Sequence, residues 1–357
     1  MDNKEKFDLW YKQNEISESA YFYLNNGFYE LKYNALFNSN YRISIAISTF
    51  KRSSLLVRLL DSIIAQEYDK EKIEIVIVDD CSNDETATVV NNYISAHQEV
   101  KIKFFINECN VGVGQSKKHA YLECSGDIII FADDDDYFID TSYFSLLNDT
   151  YLTNCDCTMT VAGTIVNYEK ENAFELQKIN FDLPITNKDY INGFVATYTK
   201  PNSMFTMSLK ANSMRDISYG ELLYFNDTPI YLFGLLAEGK VFPLNRAVGI
   251  YFVNGKNMTG NARLDYILGN LDAKHDIYCR AVSKGLLIAP HKWYYTNIGM
   301  TASYYLKGNQ NVKSDDLQVW QWLKEHFTRL SYFRYVLSVI VYRLRRNLPV
   351  KLSFIKI

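Results

Sequence analysis

Between Ile43 and Ala132 the chain alternates short apolar runs with amphipathic stretches. Ile43-Ser44-Ile45-Ala46-Ile47-Ser48, Ile73–Val78, Ile102–Ile106 and Asp127–Ala132 are brief, rich in β-branched residues and bounded by polar ones. That pattern predicts strands buried on both faces. Between them, Ser53–Gln66 sets Leu55, Leu56, Leu59, Leu60, Ile63 and Ile64 at helical spacing behind a serine. Asp84–His97 and Gly114–Cys124 read as further helices. Strand–helix alternation with short loops predicts an α/β fold with a parallel, doubly wound sheet. Ligands bind such sheets at the carboxyl ends of the strands.

Those ends are polar here: Ser48-Thr49-Phe50, Asp79-Asp80, and the run Asp133-Asp134-Asp135-Asp136. Four adjacent carboxylates repel one another and raise each other's pKa. A hard divalent cation bound through oxygen would relieve the repulsion, and so would bulk water around a solvated loop. Three polar clusters converging on one crevice favour a ligand site. Helix capping, through Asp84 and Thr86, is the plainer reading of the second cluster.

The composition, 48% hydrophobic and 22% charged over 357 residues, is that of a globular chain with one large domain and appendages, or two domains. No apolar run approaches the ~20 residues of a membrane-crossing helix. Met1–Lys6 is charged with no apolar stretch behind it, which predicts no signal peptide. The six cysteines have no framework spacing, as expected of free thiols in a reducing cytoplasm. Residues 1–40, rich in Tyr, Asn and Glu, read as an N-terminal extension with helical stretches at Glu5–Tyr11 and Ser17–Leu24. The net charge of −3 hides an asymmetry, because residues 331–357 hold six basic residues and no acid. Nucleic acid is not an expected partner, since its recognition would need the basic face on the acidic body. Gly112-Val113-Gly114 is no dinucleotide loop, because the third glycine of that fingerprint falls on Lys117.

Five segments in order resemble the family 2 glycosyltransferases, which have the GT-A fold. Ile47-Ser48-Thr49-Phe50-Lys51-Arg52 is similar to I-P-T-Y-N-R, and Val78–Thr86 to V-D-D-G-S-T-D-x-T. Asn110–Lys118 is similar to N-x-G-x-x-x-A-R-N, and Ser125–Ile129 to the small-Gly-Glu-hydrophobic lead into the next strand. Phe131–Asp136 is similar to F-L-D-x-D-D, the DXD site. The chain departs from the pattern at Ser48, Lys51, Cys81 and Lys117-Lys118, where the family has Pro, Asn, Gly and Arg-Asn. Lys117 keeps the charge but not the bidentate fork of arginine.

The resemblance, which covers roughly residues 41–255, implies a GT-A, Rossmann-like, mostly parallel sheet flanked by helices. It implies a catalytic domain at 41–265, with a nucleotide-binding half at 41–140 and an acceptor half at 141–265. A C-terminal helical region would follow at 266–357. Ser48, Phe50, Asp79, Asp80, Lys117 and Asp133 are implied to bind a nucleotide-sugar, UDP-linked in the first instance, with Phe50 stacking on the base. Asp133 and Asp135 are implied to hold Mn²⁺ or Mg²⁺; Asp134 and Asp136 are left without a role. The implied reaction is inverting transfer to a glycan or lipid-linked glycan of a surface polysaccharide. Its general base would be a carboxylate ahead of a helix, here Asp227 before Pro229, with Glu221 in reserve and helix N-capping as the plainer reading. Residues 187–207, with Tyr198, Asn202 and Phe205, are expected to shape the acceptor pocket. The alternatives are a sugar nucleotidyltransferase, disfavoured by the lack of glycine in Ser48–Arg52, and a non-catalytic binding protein of the same fold.

Ser331–Arg346 is apolar with arginines at its ends, a pattern that can lie in a membrane interface. The expectation is a cytoplasmic protein, peripheral at the inner face of the membrane through 331–357. Docking on its own domain or a homodimer contact are the other uses of that segment.

Overall fold

The computed structural model describes residues 20–25, 28–33, 40–171, 173–194, 196–201, 203–253, 264–308 and 316–346. Two compact units divide the chain at Asn254/Gly255. The boundary expected at 265 therefore moves back to the end of the last strand.

The first described elements are strands, not helices. β1 (Ala20–Asn25) pairs antiparallel with β2 (Phe28–Tyr33), bringing Asn25 opposite Phe28. This corrects the helix expected at Ser17–Leu24; the one at Glu5–Tyr11 lies outside the described residues. Tyr21, Phe22 and Tyr23 favour strands, and Asn26-Gly27 in the sequence is a hairpin signal.

The sheet of the first unit then builds as expected. β3 (Ile43–Thr49), α1 (Ser53–Ile64), β4 (Ile73–Asp79), α2 (Thr86–Ala96), β5 (Lys101–Ile106), α3 (Val113–Leu122) and β6 (Ile128–Asp133) follow one another. β6, β3, β4 and β5 lie side by side, all parallel. Ile43, Ile45 and Ile47 pack with Leu56, Leu59, Leu60 and Ile63 of α1 in the main core, and the alternate residue Ala46 is also fully buried. Burial on both faces is why β3, β4 and β6 read as continuous apolar runs, whereas β5, expected to be buried likewise, is the edge strand and only half-buried.

Beyond Asp136 the sheet turns mixed. β7 (Tyr137–Phe138), α4 (Tyr143–Thr153), β8 (Cys157–Tyr168), β9 (Ala173–Gln177), β10 (Ile185–Thr186) and α5 (Asn187–Gly193) come next. β11 (Met207–Lys210), α6 (Ala211–Asp216), α7 (Asp227–Gly234) and β12 (Lys240–Val253) complete the unit. β11 inserts antiparallel between β6 and β8, giving the strand order β10-β12-β8-β11-β6-β3-β4-β5. The two expected halves thus share one continuous sheet.

The second unit is helical: α8 (Leu264–Ser283), α9 (Pro290–Gly308), α10 (Asp316–His326) and α11 (Arg329–Arg346). Its core is aromatic, with Tyr294, Trp322, Phe327 and Tyr335 around Leu271 and Ile298. None of the described helices is long and apolar enough to cross a membrane.

Candidate active site

The carboxyl ends of β3, β4 and β6 meet. In register, Ser48 lies opposite Asp133, and Thr49 opposite Asp79. The last residues of three strands therefore form one ledge, as the parallel topology requires.

The Asp79-Asp80 pair divides its labour. Asp79 accepts hydrogen bonds from the Ser82 amide and hydroxyl and closes its own turn. Asp80 accepts from the amides of Val111 and Gly112 at 2.9 Å and from Asn107 Nδ2 at 3.0 Å. One carboxylate thus ties two motif loops together. Gly112 has φ +89°, a conformation that glycine adopts freely and L residues rarely do. Asp84 caps α2 from outside, accepting from the Thr86 amide at 2.9 Å.

The aspartate run is more thoroughly engaged than a solvated loop would be. Asp134 accepts from Thr49 Oγ1 at 2.8 Å and from Arg52 Nη1 at 2.9 Å, and the same Arg52 nitrogen donates to Asp135 Oδ2 at 2.9 Å. Asp136 is fully buried, accepting from Ser203 Oγ and from the Phe252 amide. Burial is the first cause that pushes these carboxyls up: Asp134 to about 6, Asp135 upward, and Asp136 well upward. Asp133 and Asp135 add to the effect on their neighbours, and Arg52 only partly offsets it for Asp134 and Asp135.

Lys117 joins this run to the distant candidate base. The lysine is 2% exposed, and its Nζ lies 2.6 Å from Asp133 Oδ1 and 3.5 Å from Asp227 Oδ1. Asp227 stands in the first turn of α7, whose N-cap residue is Asn226, so Asp227 is not the cap. Burial would push its carboxyl up, but the charges of Lys117 and Lys200 outweigh burial and hold it below the usual range. Lys200 also lines a cavity of about 330 Å³ with Thr164, Glu175, Gln177 and Lys178. Glu221, the reserve candidate, lies exposed on a short 3-10 turn.

Other expected residues fall as follows. Phe50 is 40% exposed just past β3, with Lys51 Nζ 5.2 Å from its ring centroid. Ser48 is buried, and its hydroxyl has no partner among the described residues. Phe205 does not line the acceptor side; it is fully buried in the core against Phe138. Tyr198 packs on Phe181 and Tyr190, and Asn202 lies outside the described residues. Sequence reasoning assigned no role to Arg52, Lys200 or Tyr251. Tyr251 is half-buried, and its hydroxyl is pushed up by burial and by the charges of Asp136, Asp227, Asp133 and Asp135. Arg52 stood within a quoted motif and could have been singled out; Lys200 had no local signal.

The implied divalent metal fits this donor set in a limited way. Among the described residues no three His, Cys, Asp or Glu side chains form a ready cage. Asp133 and Asp135 offer hard oxygens in a cluster whose charge Arg52 and Lys117 only partly balance. Mg²⁺-type ions are commonly held by one or two carboxylates together with substrate phosphates, and two carboxylates suit that arrangement.

The chain is similar to known proteins in sequence and in fold. Residues 44–215 match the family described as Glycosyl transferase family 2. A Campylobacter jejuni protein, GalNAc(5)-diNAcBac-PP-undecaprenol beta-1,3-glucosyltransferase, is 27% identical over 215 residues, covering 59% of this chain and 64% of that one. Poly(ribitol-phosphate) beta-N-acetylglucosaminyltransferase TarS of Staphylococcus aureus is 31% identical over 97 residues, 27% of this chain and 16% of that one. The chain thus spans just under two thirds of the first relative and a small part of the second. The crystal structure of S. aureus TarS 1-349 in complex with UDP-GlcNAc superposes with a TM-score of 0.55 at 15% identity, covering 85% of this chain and 92% of that one. Residues 44–215, just under half of the chain, are similar to glycosyltransferase family 2, and the likeness to the solved structure shows the fold.

Proposed function

We propose that this chain transfers a sugar from a nucleotide-sugar, UDP-linked in the first instance, to a hydroxyl of a glycan or lipid-linked glycan, with inversion at the anomeric carbon. The observation that carries the reading is the Lys117 ammonium, 2.6 Å from Asp133 and 3.5 Å from Asp227. One buried cation spans the donor-phosphate side and the base side, the two groups that a single displacement must bring together.

Asp227 is the base. Lys117 and Lys200 keep it ionised, and an ionised carboxylate takes the acceptor hydroxyl's proton as the oxygen attacks the anomeric carbon. The new C–O bond forms as the bond to the diphosphate breaks, and the nucleoside diphosphate leaves. Mn²⁺ or Mg²⁺ at Asp133 and Asp135 would supply Lewis-acid stabilisation of the departing diphosphate. Arg52 fixes Asp135, and Asp80 fixes the loop beneath the nucleotide. Phe50 presents its ring to the base. The cavity that shares Lys200 with the Asp227 environment is the acceptor side. Support for the acceptor class comes from the relatives, whose names specify an undecaprenol-linked glycan and poly(ribitol-phosphate). Both are beta-transferases, and from an α-linked donor a beta product means inversion.

Turnover of a panel of UDP-, GDP- and ADP-sugars with and without Mn²⁺ tests the reading, with Asp135→Ala and Asp227→Ala as controls. A UDP-sugar should be consumed in a metal-dependent reaction that both substitutions abolish. Turnover of no donor, or equal turnover by all three proteins, would overturn it.

A further inference from the structure

The outward face of α11 carries a continuous apolar strip. Leu330 (58% exposed), Phe333 (59%), Leu337 (44%), Ile340 (47%) and Val341 (44%) recur at helical spacing. At 3.6 residues per turn they fall within an arc of roughly 100°. Arg329 and Arg334, both exposed, stand at the arc's two edges. The opposite face is used: Tyr335 and Val339 are 3% and 1% exposed in the helical core, and Tyr335 Oη donates to the Gly299 carbonyl. The helix is therefore docked on its own unit by one face and uncovered on the other.

We propose that this strip is the seat for an anionic lipid surface. The charge pattern selects the occupant. Arg329–Arg346 holds no acid, and the segment beyond it adds Lys351 and Lys356 to the basic count. Two copies meeting face to face would set arginine edges against each other without a carboxylate on either helix. Five side chains also fall well short of the roughly 800 Å² per partner of a stable protein interface. A bilayer meets both demands, taking the apolar side chains at the headgroup–acyl boundary and the arginines at the anionic headgroups. The strip begins at Leu330, ahead of the segment read from sequence, and the membrane-facing side is a single arc of it. The inference does not depend on the transferase reading, because vesicle binding is measured without turnover.

The test is flotation of the full chain with phosphatidylcholine vesicles holding about one third phosphatidylglycerol, against pure phosphatidylcholine. Wild type should float with the anionic vesicles. The triple variant F333S/L337S/I340S should lose at least about tenfold in binding. R329E/R334E should erase the preference for anionic lipid, since each basic residue contributes roughly fivefold. All these positions are exposed, so circular dichroism should show unchanged helix content. Deleting residues 347–357 should weaken binding and leave it sensitive to the triple variant. Three results would overturn the proposal: no flotation of wild type, equal flotation of wild type and triple variant, or complete loss of binding on deleting 347–357. A wild-type dimer that the triple variant converts to a monomer in sedimentation would also overturn it, assigning the strip to a second copy.

Discussion

Glu74, at the amino end of β4, and Asp134 to Asp136, just past the carboxyl end of β6, are buried acids on the same sheet whose carboxyls are shifted in opposite directions. Glu74 is fully buried, yet Lys101 lies 2.7 Å away and Lys103 3.3 Å away, and Ser44 and Ser125 donate to it. Burial alone would push its carboxyl up; the donors outweigh burial and hold it at about 2. At the other end burial wins, and Asp134 is pushed up to about 6 despite Arg52. Glu74 has enough donors for its charge to stabilise the fold. The aspartates have too few, so their charge is held at a cost that a bound cation can relieve. Conserving stability at one end and carrying unbalanced charge at the other is how a parallel sheet separates scaffold from site.

Two substitutions should break the two ends in different ways. Asp227→Asn should lower kcat by about two to four orders of magnitude, the usual worth of a general base, with little change in denaturation midpoint. Glu74→Ala should do the reverse. It removes the shared acceptor of the partly exposed Lys101 and Lys103 and of the buried Ser44 hydroxyl, and should cost about 1–3 kcal/mol in chemical denaturation, while turnover per folded molecule stays near wild type. If Glu74→Ala left stability intact, or Asp227→Asn unfolded the protein, the division between the ends would be wrong.

Ligand linkage should fall at the aspartate end. Mn²⁺ with UDP at a hundredfold excess over its Kd should stabilise wild type by about 2.7 kcal/mol, and Asp135→Ala should lose most of that gain. Equal stabilisation of both proteins would move the cation elsewhere. The pH dependence sharpens the same contrast at the Glu74 end. Its folded pKa lies below the ordinary value of 4.5, so its contribution is complete above 4.5 and lost as pH falls toward about 2. The stability gap between wild type and Glu74→Gln should close across that window, with a slope of at most about 1.4 kcal/mol per pH unit. A gap that stayed constant from pH 5 to 2 would mean that Glu74 ionises normally.

The sequence makes one of these ends far easier to read than the other. β3, β4 and β6 are legible because each is buried on both faces and each runs into polar residues at the ledge; β5, at the sheet's edge, is only half-buried. A lone Glu inside Ile73-Glu74-Ile75 gives little warning of a buried node; its partners Lys101 and Lys103 come a full strand–helix unit later. The contact between Lys117 and Asp227 spans 110 residues and has no local pattern at all. β11 is only four residues long and antiparallel between two longer strands, too short for alternation to show. Asn26-Gly27 between aromatic runs is, by contrast, a local hairpin signal that the helical reading of Ser17–Leu24 overlooks.

Ser48 gives the smallest effect and the most direct comparison of fold with site. It is the penultimate residue of β3, opposite Asp133, and its buried hydroxyl has no hydrogen-bond partner among the described residues. A hydroxyl kept dry and unpaired costs stability, so Ser48→Ala should raise it by up to about 1 kcal/mol. If Ser48 contacts the nucleotide-sugar, the same change should raise KM for the donor several-fold and leave kcat near wild type. Opposite movements of stability and donor affinity would mark the hydroxyl as held for the ligand. A gain in stability with unchanged KM would make it a packing residue, and the donor contacts would then rest on Phe50 and Asp80.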